Sequence, residues 1–115
     1  MYYRKILIAD DDTTILRLYT SVLTKKTSVL EEDFILETFE NGTSLLEYFK
    51  SEWNIGNRIP LCILDMNMPG MDGLETAREI RNIDSNVIII IVTAYANTSL
   101  ATLKESLKQN IYYIR

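Results

Sequence analysis

Three acidic residues, a fourth further along and a threonine stand where apolar runs end. Asp10, Asp11 and Asp12 follow Ile6-Leu7-Ile8-Ala9, Asp65 follows Leu61-Cys62-Ile63-Leu64, and Thr93 closes the run Val87 to Val92. Carboxylates gathered in one crevice repel each other unless a cation joins them. Oxygen ligands in a chain with no histidine select Mg²⁺, Ca²⁺ or Mn²⁺ over zinc. Mg²⁺ keeps several waters and favours a few carboxylates together with a substrate phosphate, which points to phosphoryl chemistry. An aspartate carboxylate can itself be the nucleophile and form an acyl phosphate, with a metal offsetting the repulsion between it and an incoming anion. Taken alone, each group has an ordinary explanation: an Asp triplet in a loop is commonly solvated or caps a helix, and Asp65 precedes a Pro69-Gly70 turn. Their shared position after successive apolar runs favours a site. Asp72 is assigned to a helix cap, and Met66, Met68 and Met71 to loop packing.

The elements that must hold these groups are readable from periodicity. Dense apolar runs at Ile6–Ala9, Phe34–Leu36, Leu61–Leu64, Val87–Val92 and Ile111–Ile114 suit strands buried on both faces. Between them lie helical spacings. Ile15, Leu18, Tyr19 and Val22 form one stripe, predicted to face the sheet. Leu45 and Phe49 follow the breaker Asn41-Gly42. Leu74, Ala77 and Ile80 follow the capping sequence Asp72-Gly73-Leu74-Glu75, and Leu100, Leu103 and Leu107 mark a fourth helix. Alternating strands and helices predict an α/β fold with a parallel sheet. If the strand order is 2-1-3-4-5, Asp10, Asp11, Asp65 and Thr93 converge at the carboxyl ends of neighbouring strands, where open α/β sheets place their sites.

Length and composition narrow the function classes. One hundred and fifteen residues suffice for a single core. At 47% hydrophobic and 24% charged the chain is neither disordered nor collagenous. One cysteine, Cys62, inside an apolar run, permits no internal disulfide and fits a reducing cytoplasm. A net charge of −4 argues against direct nucleic-acid contact. The first residues lack the length of a signal peptide, and no apolar run approaches the roughly 20 residues of a membrane span. With no imidazole in the chain, any phosphohistidine must come from a partner.

These residues resemble the response regulator receiver domains. Ile6 to Asp12 is similar to that family's first strand and acidic pair. Leu64-Asp65-Met66-Asn67-Met68-Pro69-Gly70-Met71-Asp72-Gly73 resembles its phosphoacceptor segment, and Val92-Thr93-Ala94 its fourth-strand end. The resemblance covers essentially the whole chain. It implies a doubly wound, flavodoxin-like five-stranded sheet of order 2-1-3-4-5, and a phosphorylation-dependent switch of a two-component system. It also implies roles. Asp65 would be the phosphoacceptor; Asp10, Asp11, Asp65 and the backbone carbonyl of Asn67 would hold Mg²⁺. Thr93 would hydrogen-bond a phosphoryl oxygen, Tyr112 or Tyr113 would serve as the switching aromatic, and Asn67 and Tyr95 would tune phosphoryl lifetime. The implied partner is a sensor histidine kinase or phosphotransfer protein, with a homodimer as a further association.

Two features depart from the family pattern. Its fifth-strand lysine falls at Arg115 by the commonest spacing, or at the next position if the fourth helix carries one more residue. A fifth helix has no counterpart within residues 1–115, so the chain is expected to be one receiver domain truncated before that helix. Two other functions compete. An Asp-nucleophile phosphatase or phosphotransferase ordinarily needs a second acid near the nucleophile and cap insertions, which this chain lacks. A docking module that works without phosphorylation is disfavoured by the intact Asp10, Asp11, Asp65 and Thr93. The expectation is therefore a switch that catalyses its own phosphoryl transfer and dephosphorylation only.

Overall fold

The computed structural model describes residues 4–27, 34–93 and 111–114. Among these residues eight elements follow in chain order: β1 (Arg4–Ala9), α1 (Thr13–Thr27), β2 (Phe34–Phe39), α2 (Gly42–Asn54), β3 (Leu61–Asp65), α3 (Gly73–Ile83), β4 (Ile88–Val92) and β5 (Ile111–Ile114). The strands form one five-stranded sheet of order β2-β1-β3-β4-β5, and every pairing is parallel. This is the expected topology. The helix predicted around Leu100, Leu103 and Leu107 lies outside the described residues.

The apolar runs of β1, β3 and β4 work because each of these strands feeds two cores. Leu7 and Ala9 of β1, Cys62 and Leu64 of β3, and Ile89 and Ile91 of β4 point to one face, where Leu45 and Phe49 of α2 and Ala77 and Ile80 of α3 cover them. The alternate residues Ile6, Ile8 and Ile63 point to the other face and meet Leu16 of α1. Successive side chains on a strand leave on opposite sides, so a run apolar at every position is needed when both faces are packed. Asn41-Gly42, read as a breaker, instead starts α2: the Asn41 side chain accepts the Ser44 N–H at 2.8 Å, and Gly42 is the first helical residue.

The α1 stripe is a correction. Leu18 and Val22 are more than half exposed, whereas Leu16 is buried and Tyr19 and Leu23 pack with it on the β1 and β3 side chains. Leu16, Tyr19 and Leu23 obey the same i, i+3, i+7 spacing as the expected set, turned one residue, about 100°, around the helix axis. Two overlapping stripes share Tyr19, and periodicity alone does not choose between them. On this side of the sheet Ile88 and Tyr112 also reach solvent.

At the end of the sheet away from the strand carboxyl termini, Lys5 of β1 reaches into α2. Its ammonium pairs with Glu52 and donates to the Tyr48 hydroxyl at 2.6 Å, while Asn57 donates to the same carboxylate at 3.2 Å. Burial raises the carboxyl of Glu52, but hydrogen bonds from Lys5, Tyr48 and Asn57 outweigh it and hold the group below its ordinary range. Its bonds to Glu52 and then Tyr48 push Lys5 up to about 12. A depressed carboxylate contributes stability that is present above its unfolded value and lost as pH falls through its folded one. Lys5→Met leaves that carboxylate buried without its cation and is expected to cost about 2 kcal/mol, below a fully buried pair because Lys5 is partly wetted. Urea unfolding checks this. A loss under about 0.5 kcal/mol, the range of neutral surface changes, would refute it.

Candidate functional site

Asp10 follows β1 and Asp65 ends β3; the two strands are hydrogen-bonded neighbours, and β4 flanks β3 on its other side. Asp10, Asp11 and Asp65 each place one carboxylate oxygen within 4.8 Å of the others. Asp10 and Asp65 are half-buried and Asp11 is exposed, so the cluster opens to solvent through Asp11. Thr93, one residue past the Val92 that pairs with Asp65, is buried at the adjoining strand end. The structure therefore brings Asp10, Asp11 and Asp65 together and seats Thr93 at the neighbouring terminus, as the strand order required.

Local hydrogen bonds fix the two loops. The Asp10 N–H donates to the Phe39 carbonyl of β2 at 3.0 Å, and the Asp10 carboxylate accepts the Asp12 N–H at 2.9 Å. Asp12 accepts the Thr14 N–H at 2.9 Å and so caps α1. Of the triplet, then, two members face the cluster and the third starts a helix. On β3, the Met66 N–H donates to Val92 at 2.8 Å, the Gly73 N–H returns to the Met66 carbonyl at 3.0 Å, and the Asn67 N–H donates to the Asp65 carboxylate at 3.3 Å. Asp72 accepts the Glu75 N–H at 2.8 Å, the predicted cap. Met68 is buried in the core, with Met66 and Met71 packed against it.

The electrostatics register the crowding. Burial first, then the charges of Asp10 and Asp11, pushes Asp65 up to about 6. Asp10 is raised as well, chiefly by burial. Like charges held this close favour a proton or a cation among them. The donor set is all oxygen, and Cys62 is fully buried in the core with its thiol pushed up by desolvation. Such a set suits a hard divalent cation. Tyr19, read from the sequence only as a core residue, also senses this site: after burial, the charges of Asp10 and Asp65 raise its hydroxyl. Nothing in the helical spacing could have shown that.

Tyr112 is more than half exposed on β5. The Tyr113 side chain, Tyr95 and Arg115 lie outside the described residues.

Residues 6–114 match the model of the response regulator receiver domain. The chain belongs to this family. Receiver domains are the phosphorylation switches of response regulators in two-component systems. Over 102 residues the chain is 35% identical to the sporulation initiation phosphotransferase F of Bacillus subtilis, covering 87% of this chain and 72% of that protein. It is 31% identical over 97 residues to the response regulator receiver protein CpdR of Brucella abortus, covering 84% of this chain and 72% of that one. Among solved structures, the response regulator TrrA of Thermotoga maritima in complex with Mg²⁺ and beryllium fluoride superposes with a TM-score of 0.75 at 30% identity, over 97% of this chain and 86% of that chain.

Proposed function

We propose that this receiver domain accepts a phosphoryl group on Asp65 from a phosphohistidine of a sensor histidine kinase or phosphotransfer protein in the cytoplasm. The observation that carries the reading is the convergence of Asp10, Asp11 and Asp65 within 4.8 Å at the ends of two paired strands, in a chain of this family.

In the transfer, a carboxylate oxygen of Asp65 attacks the phosphorus, the phosphorus–nitrogen bond of the donor breaks, and the departing imidazole takes up a proton. Mg²⁺ bound by Asp10, Asp11 and Asp65, with the Asn67 carbonyl as a further ligand, would screen the carboxylates from the incoming anion and neutralise charge on the transferring oxygens. The chain's own residues do the rest. Asp10 and Asp11 would keep the cation beside the nucleophile. The Asn67 N–H, already on the Asp65 carboxylate, orients it. Thr93 offers a hydroxyl to a phosphoryl oxygen from the neighbouring strand end. Asn67 and Tyr95 set the lifetime of the acyl phosphate, Arg115 supplies a cation to the phosphoryl group, and Tyr112 or Tyr113 reports the change.

Intact-mass analysis after incubation with acetyl phosphate tests the reading. The expected result is one added phosphoryl group, dependent on Mg²⁺ and lost on brief alkaline treatment. A chain left unmodified under saturating donor and Mg²⁺ would argue for the phosphorylation-independent docking role instead.

A further inference from the structure

We propose that Gly42 and Thr76 are positioning residues for phosphoryl transfer, bracing the 66–72 loop against the start of α2 so that Asp65 is held in its reactive setting; this rests on Asp65 being the phosphoacceptor. Gly42 is buried at the first position of α2. A Cβ there would fall far inside contact distance of the Thr76 hydroxyl, 3.0 Å from the Met71 carbonyl oxygen and 3.3 Å from the Thr76 Cβ. Thr76 is fully buried, and its hydroxyl donates to the Asp72 carbonyl at 2.7 Å, beside the Asp72 carbonyl's bond from the Thr76 N–H at 3.0 Å.

From Asp72 the path to the nucleophile is short. Gly73 lies directly on the end of β3: a Cβ there would collide with the Asp65 carbonyl group and stand 2.9 Å from the Met66 Cα. The Gly73 N–H is hydrogen-bonded to the Met66 carbonyl. Any push of α2 on Met71 and Thr76 is thus passed through Asp72 and Gly73 to the backbone of Asp65 itself. Close packing leaves no slack to absorb it. The absent side chain at position 42 and the buried hydroxyl at position 76 together set where the start of α3 sits on β3.

The test uses the full chain with acetyl phosphate and Mg²⁺, and also amide NMR shifts of the metal-free protein. Gly42→Ala should fold yet phosphorylate roughly 10- to 100-fold more slowly, as small misplacements of reacting groups do, and should shift the amides of residues 65–73 before any metal is added. Gly42→Ala with Thr76→Ala removes the colliding hydroxyl together with its bond to Asp72, so it should recover to the rate and shifts of Thr76→Ala alone and no further. Gly42→Ala with Thr76→Val keeps an atom at the collision point and should not. Should Gly42→Ala fail to fold, Thr76→Val alone decides, because it removes the bond to Asp72 without crowding Gly42; it should slow labelling while leaving the protein folded. A folded Gly42→Ala or Thr76→Val with the parent's rate overturns the proposal, as does a Gly42→Ala, Thr76→Ala double variant slower than Thr76→Ala alone. A parent chain never labelled on Asp65 overturns the functional reading beneath it, an outcome the unsubstituted control identifies separately.

Discussion

Asp65→Asn is expected to abolish phosphoryl acceptance and, in metal-free buffer near neutral pH, to make the protein more stable. The nucleophile is the group the fold accommodates least well as a carboxylate: burial and the neighbouring Asp10 and Asp11 push it up to about 6 from an ordinary 3.8. A raised acid binds its proton more firmly in the folded chain than in the unfolded one. Stability from this group is therefore highest below its unfolded value, falls as pH rises toward about 6, and stays low above that. The full shift would correspond to about 3 kcal/mol at 1.36 per unit. Asp65 is only half-buried, so solvent screening brings the expected gain to on the order of 1–2 kcal/mol, or several degrees in Tm for a domain of this size. Thermal melts of parent and Asp65→Asn at about pH 4 and about pH 7.5, with chelator present, check it. The variant should gain only at the higher pH. An equal gain at both would place the effect outside Asp65 ionisation.

The second large effect is metal linkage. Mg²⁺ that binds the folded site and not the unfolded chain stabilises by about 2.7 kcal/mol at a hundredfold excess over Kd. The stabilisation should vanish for Asp11→Ala at the same Mg²⁺ concentration, because Asp11 is the exposed member through which the cluster opens to solvent. The core face that binds α2 and α3 is untouched by that change, so Asp11→Ala should melt near the parent temperature in chelator. Calorimetric titration and melts with and without Mg²⁺ measure both. An Asp11→Ala protein that still gains the full increment would remove Asp11 from the ligand set.

Much of this was legible in the sequence because strand burial on two faces leaves a strong signal. A run such as Leu61 to Leu64 has no polar face, so it suits a strand covered on both sides, and the polar residue that ends it must emerge at one edge. The acidic cluster follows from that placement. Three features were not legible. The rotation of α1, burying Leu16 and exposing Leu18 and Val22, depends on which of two overlapping stripes meets Ile6 and Ile63. The Lys5–Glu52 pair joins residues 47 apart in the chain, and no spacing rule links them. The Gly42–Thr76 contact joins the starts of two helices, where a glycine next to a capping asparagine reads simply as a boundary.

The chemistry at Asp65 is tested most directly by locating the modified residue. After labelling with acetyl phosphate and Mg²⁺, borohydride reduction converts an aspartyl phosphate to homoserine, and peptide sequencing by mass spectrometry reads its position. Homoserine at position 65 and at no other aspartate is the predicted result. Homoserine at Asp10, Asp11 or Asp12 with position 65 unchanged, or a phosphoryl group that survives alkali on a hydroxyl side chain, would contradict it.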